Sequence, residues 1–263
     1  MSGKVWNKLD ILNKMIIFVA IMKVTDKIAD KINRIDAGDV FGYDTLGLTS
    51  DEIIAGSKAL SRLFNKGIIK RAKKGYYYKP KVSVFGEQKP REDVLLSLYL
   101  FDKNKQVAYV TGTRLYNRLG LTTQVPISIR IASLDKQIKG KVGNVAIKPA
   151  KSYVKVTSDA IKYLELLDVI KDLNTIPDLQ KSDGLVYLKK VIYDFDPTEI
   201  KKLVTYGAAY PPKVRALLGA LLEAMLVEPV FFSVLKKSIN PSSSYEYGIN
   251  STMLSTANSW NII

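Results

Sequence analysis

From Val24 the apolar residues Ile28, Ala29, Ile32 and Ile35 recur at helical spacing, with Thr25 placed to cap the start and Gly38 to end the segment. An irregular stretch follows, in which Val40, Phe41 and Leu46 can anchor a core. Thr49-Ser50-Asp51-Glu52 then has the capping-box form, with a carboxylate three residues after the hydroxyl. The helix it opens carries Ile53, Leu60, Leu63 and Phe64 on an inward face, and Gly67 supplies a left-handed stop. Beyond Gly67 the period changes to two. Ile68 to Ala72 and Tyr76 to Lys79 read as strands joined by Lys73-Lys74-Gly75, and Pro80 ends the second. This order predicts a winged helix-turn-helix over residues 22–81.

Residues 82–91, with Gly86, Pro90 and mixed charge, read as a linker to a second domain over 92–239. There the pattern predicts a helix at Val94 to Leu100, a strand at Val107 to Thr111 and a helix at Thr113 to Leu119. Strands are expected at Ile127 to Ala132 and Val142 to Ile147. After Thr157 it is helical to about Leu235, with Pro177, Pro197 and Pro211-Pro212 each placed to begin a helix. The fold class expected is α+β: a winged helix-turn-helix followed by an α/β C-terminal domain with a helical cap. Ser, Thr and Asn make up 12 of the 24 residues of 240–263, a composition that predicts a flexible polar tail.

Composition narrows the chemistry. The 263 residues include no Cys and no His, which removes disulfides, thiolate zinc sites, imidazole bases and the Ser-His-Asp triad. A formal net charge of +15 points to a polyanionic partner, a nucleic acid or an anionic surface. The apolar run Met15 to Met22 has eight residues, against the roughly 20 needed to span a bilayer. All of it but Met22 lies in an N-terminal extension, residues 1–21; Lys14 and Lys23 flank it, and no small-x-small cleavage site follows. A packed N-terminal helix, or an upstream start with Met22 as initiator, accounts for it as well. The expected location is cytoplasmic, with no membrane partner.

The positive charge is concentrated. Ile53 to Lys81 holds nine basic residues and no acidic one. On a wheel with Leu60 inward, Lys58, Ser61, Arg62 and Asn65 project on the opposite side, with Lys66 at the flank. Arg and Asn offer bidentate bonds to base edges in a major groove, while Lys58 and Ser61 suit phosphates. Lys70, Arg71, Lys73 and Lys74 would form a basic wing reaching the adjacent backbone or minor groove. A solvated helix face is the plain alternative, but such faces ordinarily mix both signs. Of Tyr76, Tyr77 and Tyr78, at least one or two are expected in the core.

Three segments carry a family resemblance: KALSRLFNKGIIKRAKKGYYYKP (Lys58 to Pro80), TGTRLYNRLGLTTQVP (Thr111 to Pro126) and YPPKVRALLGALLE (Tyr210 to Glu223). The chain resembles the AbiEi-type antitoxins of bacterial abortive-infection systems over roughly Met22 to Val230. The resemblance implies a winged helix that represses its own operon by binding inverted repeats in promoter DNA. It also implies a C-terminal domain that counters a nucleotidyltransferase-like toxin without requiring stable association. The extension 1–21 and the tail after Asn240 depart from the family pattern.

Within the second domain, Arg114 and Arg118 fall four residues apart on one helix face, with Thr122, Thr123 and Gln124 in the next loop. They could grip a phosphate or an RNA strand, or the polar loop residues could satisfy backbone groups at a turn before Pro126. On the resemblance, Arg114, Arg118 and Gln124 are candidates for antitoxin function. Asp194-Phe-Asp196 is the one pair resembling a metal-binding DxD, but Asp196-Pro197 reads directly as a helix N-cap. No metal or cofactor is expected, and no enzymatic activity. The function expected is antitoxin and autorepressor; the alternative is a stand-alone winged-helix regulator whose second domain senses a ligand.

Overall fold

A reciprocal capping box sets the first boundary in a computed structural model, which describes Met15, residues 24–84 and residues 86–263. Thr49 and Glu52 bond each other's backbone amides, with Glu52 Oε2 accepting from Thr49 N at 3.0 Å. Lys27 donates to the same carboxylate at 2.9 Å, which joins the cap to helix α1, residues 24–34. Val24 is already helical, so Thr25 lies inside α1 and does not cap it. The expectations for residues 1–21 lie outside the described residues, Met15 excepted. Among the described residues no helix is long and apolar enough to cross a membrane.

After a 3-10 turn at Ser50–Glu52 comes α2, Ile53–Asn65. Strands β1 (Val40–Gly42), β2 (Lys70–Lys73) and β3 (Tyr76–Tyr78) form an antiparallel sheet in the order β1-β3-β2. Gly75, at φ +83, makes the tight β2–β3 turn available. Ile28 and Ile32 of α1, Phe41, Leu46, Ala59, Leu60, Ile69 and Tyr77 pack into one core. Two expected inward residues of α2 do not join it: Ile53 is 44% exposed and Phe64 39%. Gly56 and Ala59 take the inward side, so the buried stripe is rotated and its residues are smaller than predicted.

The expected linker is ordered differently. Strands β4 (Lys81–Ser83) and β5 (Gly86–Gln88) form a hairpin, and α3 follows at Glu92–Leu100. The chain divides into two compact units between Leu98 and Tyr99, later than the expected boundary at 91.

The second unit is α+β with a helical C-terminal region. A two-stranded ribbon, β6 (Phe101–Asp102) and β7 (Lys105–Gln106), precedes β8 (Tyr109–Thr111) and the short helix α4 (Thr113–Arg118). Strands β9 (Ser128–Ser133), β10 (Gly140–Val142) and β11 (Val145–Lys151) complete a sheet of order β10-β11-β9-β8. The single strand expected at Val142 to Ile147 is thus two, turned at Gly143, whose φ is +59. Strand β11 runs parallel to β9, and Pro149 sits beyond the last residue that β10 pairs, where no amide is required.

Helices α5 (Ile161–Asp172), α6 (Lys181–Tyr193), α7 (Pro197–Gly207), α8 (Pro212–Ala224) and α9 (Pro229–Lys237) follow. Pro197 and Pro212 begin helices as expected, whereas Pro177 lies in a turn ahead of α6. Asp196 caps α7, its Oδ1 accepting from Glu199 N at 2.8 Å. The polar tail packs into the core. Tyr245, Tyr247, Ile249, Leu254, Trp260 and Ile262 are buried in the same core as α5 and α8. Gly219 of α8 leaves the space that the Trp260 indole fills. Asn, Ser and Thr in this stretch make turns, as where Asn250 Oδ1 accepts from Thr252 N, between aromatic anchors.

Candidate nucleic-acid interface

Helix α2 turns Lys58, Ser61, Arg62, Asn65 and Lys66 to solvent. None of these cations has a carboxylate partner among the described residues. Ile54, 71% exposed, shares their face at i−4 from Lys58 and i−7 from Ser61. The outer surface is therefore cationic and polar, with one branched apolar side chain near its N-terminal end. Just before it, Lys27 holds the Glu52 carboxyl below its usual range, so this acid is already neutralised.

The wing divides. Strand alternation sends Lys70 and Arg71 to opposite faces of β2. Arg71 lies over the Phe64 ring of α2, 5.3 Å from guanidinium carbon to centroid, and 5.7 Å from the Tyr77 centroid. That contact explains the exposed position of Phe64: it serves as a platform for Arg71 beside the C-terminal end of α2. Lys70 instead pairs with Glu87 of β5 at 2.6 Å. Lys73 donates to the Leu98 carbonyl at 2.9 Å, and a β-bulge between Arg71 and Lys73 shifts its register. Lys74 is exposed at the tip. The set of cations expected from the helix face and the hairpin is accordingly narrower: Lys58, Arg62, Lys66, Arg71 and Lys74 remain available to an anion, while Lys70 and Lys73 are engaged elsewhere. Tyr77 and Tyr78 are buried, and Tyr76 is half-buried beneath Lys73 at 6.0 Å.

In the second unit Arg118 is not free to grip a phosphate, because it pairs with Glu165 at 2.5 Å. The loop after α4 is held by Asn117, whose Nδ2 donates to the carbonyls of Thr122 and Gln124 at 3.2 Å. Thr122 Oγ1 accepts from Gln124 N. Thr122 and the Gln124 backbone are thus spent on the turn before Pro126, and the Gln124 side chain is exposed. Arg114 is half-buried at the start of α4.

Sequence reasoning missed Asp168. It is fully buried in α5, where Tyr109 and Thr111 of β8 donate to Oδ2 at 2.9 and 2.5 Å. Lys171 donates to Oδ1 at 2.6 Å, and the Tyr210 hydroxyl reaches it at 3.5 Å. Burial pushes the Tyr109 and Tyr210 hydroxyls far above the ordinary phenol value, so both stay protonated and remain donors. The one signal is an acid set directly between apolar residues, Leu166-Leu167 before it and Val169-Ile170 after it.

The geometry defines a two-unit α+β chain with an uncompensated cationic helix face. It belongs to a family of unknown function, DUF6088, which it matches over residues 27–180. No curated protein matches the chain. Among solved structures, the RV2827C protein from Mycobacterium tuberculosis is similar, with 12% sequence identity and a TM-score of 0.46 over 84% of this chain and 83% of that one.

Proposed function

We propose that the first unit is a winged helix-turn-helix that binds duplex DNA in the promoter of its own gene and represses it. The reading rests on one observation: α2 exposes Lys58, Ser61, Arg62, Asn65 and Lys66 on a face without carboxylates, followed at once by a β-hairpin carrying Arg71 and Lys74. Helix α2 lies in the major groove, Arg62 and Asn65 bond base edges, and Lys58, Lys66, Arg71 and Lys74 hold phosphates. The second unit, on the resemblance to AbiEi-type antitoxins, counters a nucleotidyltransferase-like toxin and performs no chemistry of its own.

Mobility-shift titration on the DNA upstream of the gene tests the first part. About five neutralised phosphates give a log–log salt slope near −4 to −5, and binding without salt dependence overturns it. Co-expression with the neighbouring toxin tests the second: growth rescue is expected, and growth arrest by the toxin in its presence overturns it. A cleft of about 430 Å³ in the second unit, lined by Asn104, Lys105, Leu134, Lys155, Thr157 and Asp159 among others, favours the alternative of a ligand-sensing regulator. The absence of an adjacent toxin gene would select that alternative.

A further inference from the structure

Across the four-stranded sheet of the second unit, Arg130 of β9 stands directly opposite Lys148 of β11 in the parallel register, so both side chains share one face. Lys141 of β10 is opposite Ala146, two residues before Lys148, and joins the same face. All three are exposed. None has a carboxylate partner among the described residues. Residues 128–151 contain six basic side chains and one acidic, Asp135. Like charges directly opposed in a sheet are destabilising, and strands lie about 4.8 Å apart, so this row holds an unmet repulsion over about 10 Å.

The row is built into the backbone. Gly112, at φ +71, lies where a Cβ would come within 2.9 Å of Arg130 Cδ, so the arginine stem runs along the glycine. The charge of Arg130 is felt at the Tyr116 hydroxyl, and that hydroxyl donates to Asp172 at 2.6 Å. Asp172 also faces Lys171 at 4.0 Å. On the cationic face the flanking residues are small: Ser128 and Ala132 beside Arg130, Ala146 and Ala150 beside Lys148. Ala132 is buried in the helical core and Ala150 packs against it, so the ridge of cations lies on the part of this face that the helices leave uncovered, beside Ser128 and Ala146. A single phosphate or nucleotide needs a concave site; a ridge crossing three strands suits successive phosphates of one strand.

We infer that the Arg130–Lys148–Lys141 row is a second nucleic-acid site, which holds the phosphodiester backbone of a single strand. It is independent of the reading of α2. The fork of Arg130 bonds phosphate oxygens and the two ammonium groups follow the chain, without base contacts and so without sequence preference.

The test uses the full chain, a sheet variant (Arg130→Gln, Lys141→Gln, Lys148→Gln) and an α2 variant (Lys58→Gln, Arg62→Gln, Lys66→Gln). Each is titrated by fluorescence anisotropy with a mixed-sequence single-stranded RNA, the same sequence as single-stranded DNA, and its duplex. The sheet variant is expected to bind the single strands about tenfold more weakly, with a salt slope smaller by about 2 to 3, while the α2 variant keeps that binding. The exchange Arg130→Lys with Lys148→Arg keeps the charge and should restore most of the affinity. Preference for the RNA probe identifies RNA as the partner strand, and equal binding identifies either strand. The sheet variant should melt no lower than the parent, since a repulsion is removed. Unchanged single-strand binding by the sheet variant, or failure of the charge-keeping exchange to restore it, overturns the inference.

Discussion

Thr111 donates its hydroxyl to the Asp168 carboxylate at 2.5 Å, fastening the end of β8 to the middle of α5. Tyr109 shares that oxygen, and Lys171 and Tyr210 approach the other, so one buried acid joins sheet and helices. Asp168→Ala strands two buried phenols, the Thr111 hydroxyl and a half-buried ammonium at once. It should cost about 3–5 kcal/mol in urea unfolding. Asp168→Asn keeps an acceptor in place and should cost less. Equal stability of all three proteins would remove this carboxylate from the account of the fold.

The Trp260 indole occupies the space above Gly219 and donates Nε1 to Glu223. Trp260→Ala should cost about 3–5 kcal/mol, and Gly219→Ala, which pushes the ring from its place, about 1–3 kcal/mol. Unfolding midpoints check both. In the Gly219 variant the indole fluorescence should also shift to the red.

Burial pushes the Glu165 carboxyl above its usual range, and Arg118 pulls it back. A carboxyl with a raised native pKa contributes stability that is complete below the ordinary carboxylate range and is lost as pH rises through the raised value. Arg118→Ala removes the downward pull and widens that loss. The variant should be close to parent stability near pH 4 and about 1–2 kcal/mol less stable at neutral pH. A deficit of the same size at both pH values would exclude this pair as its source.

If α2 lies in a groove, its residues separate by role. Lys58→Ala should weaken all duplexes alike and reduce the salt slope by about 1, whereas Asn65→Ala should relax preference at one base pair. Ile54 faces the same side and is suited to a thymine methyl. Uracil in place of thymine in a selected duplex should weaken binding by the parent. The same exchange should leave Ile54→Ala unaffected. Equal loss in both proteins would assign the methyl contact to another residue.

Local signals carried the first unit furthest. The Thr49–Glu52 box, Gly67 and Gly75 each fix a boundary through backbone chemistry, which a sequence displays openly. The division of the hairpin's cations was hidden because it depends on partners distant along the chain: Glu87 for Lys70 and the Leu98 carbonyl for Lys73. Composition misled at residues 240–263, where Ser and Asn turns separate buried Tyr245, Tyr247 and Trp260; the spacing of those aromatics was the better guide. The Val142-Gly143-Asn144-Val145 hairpin could have been read from its glycine. Asp168 could not, because its partners lie on β8 and just before α8. The cationic row escaped notice for a related reason: Arg130 and Lys148 meet only through strand register.

Arg71 rests on Phe64 with Tyr77 beside it, so the place of its guanidinium is set within the chain itself. A side chain tethered in this way would give up little rotational freedom on meeting an anion. Lysine at position 71 would preserve the sign of the charge yet lose that tether, and leucine at position 64 would have the same effect from the other partner. The position of a cation at the end of α2 is thus inherited from an aromatic residue on the same helix.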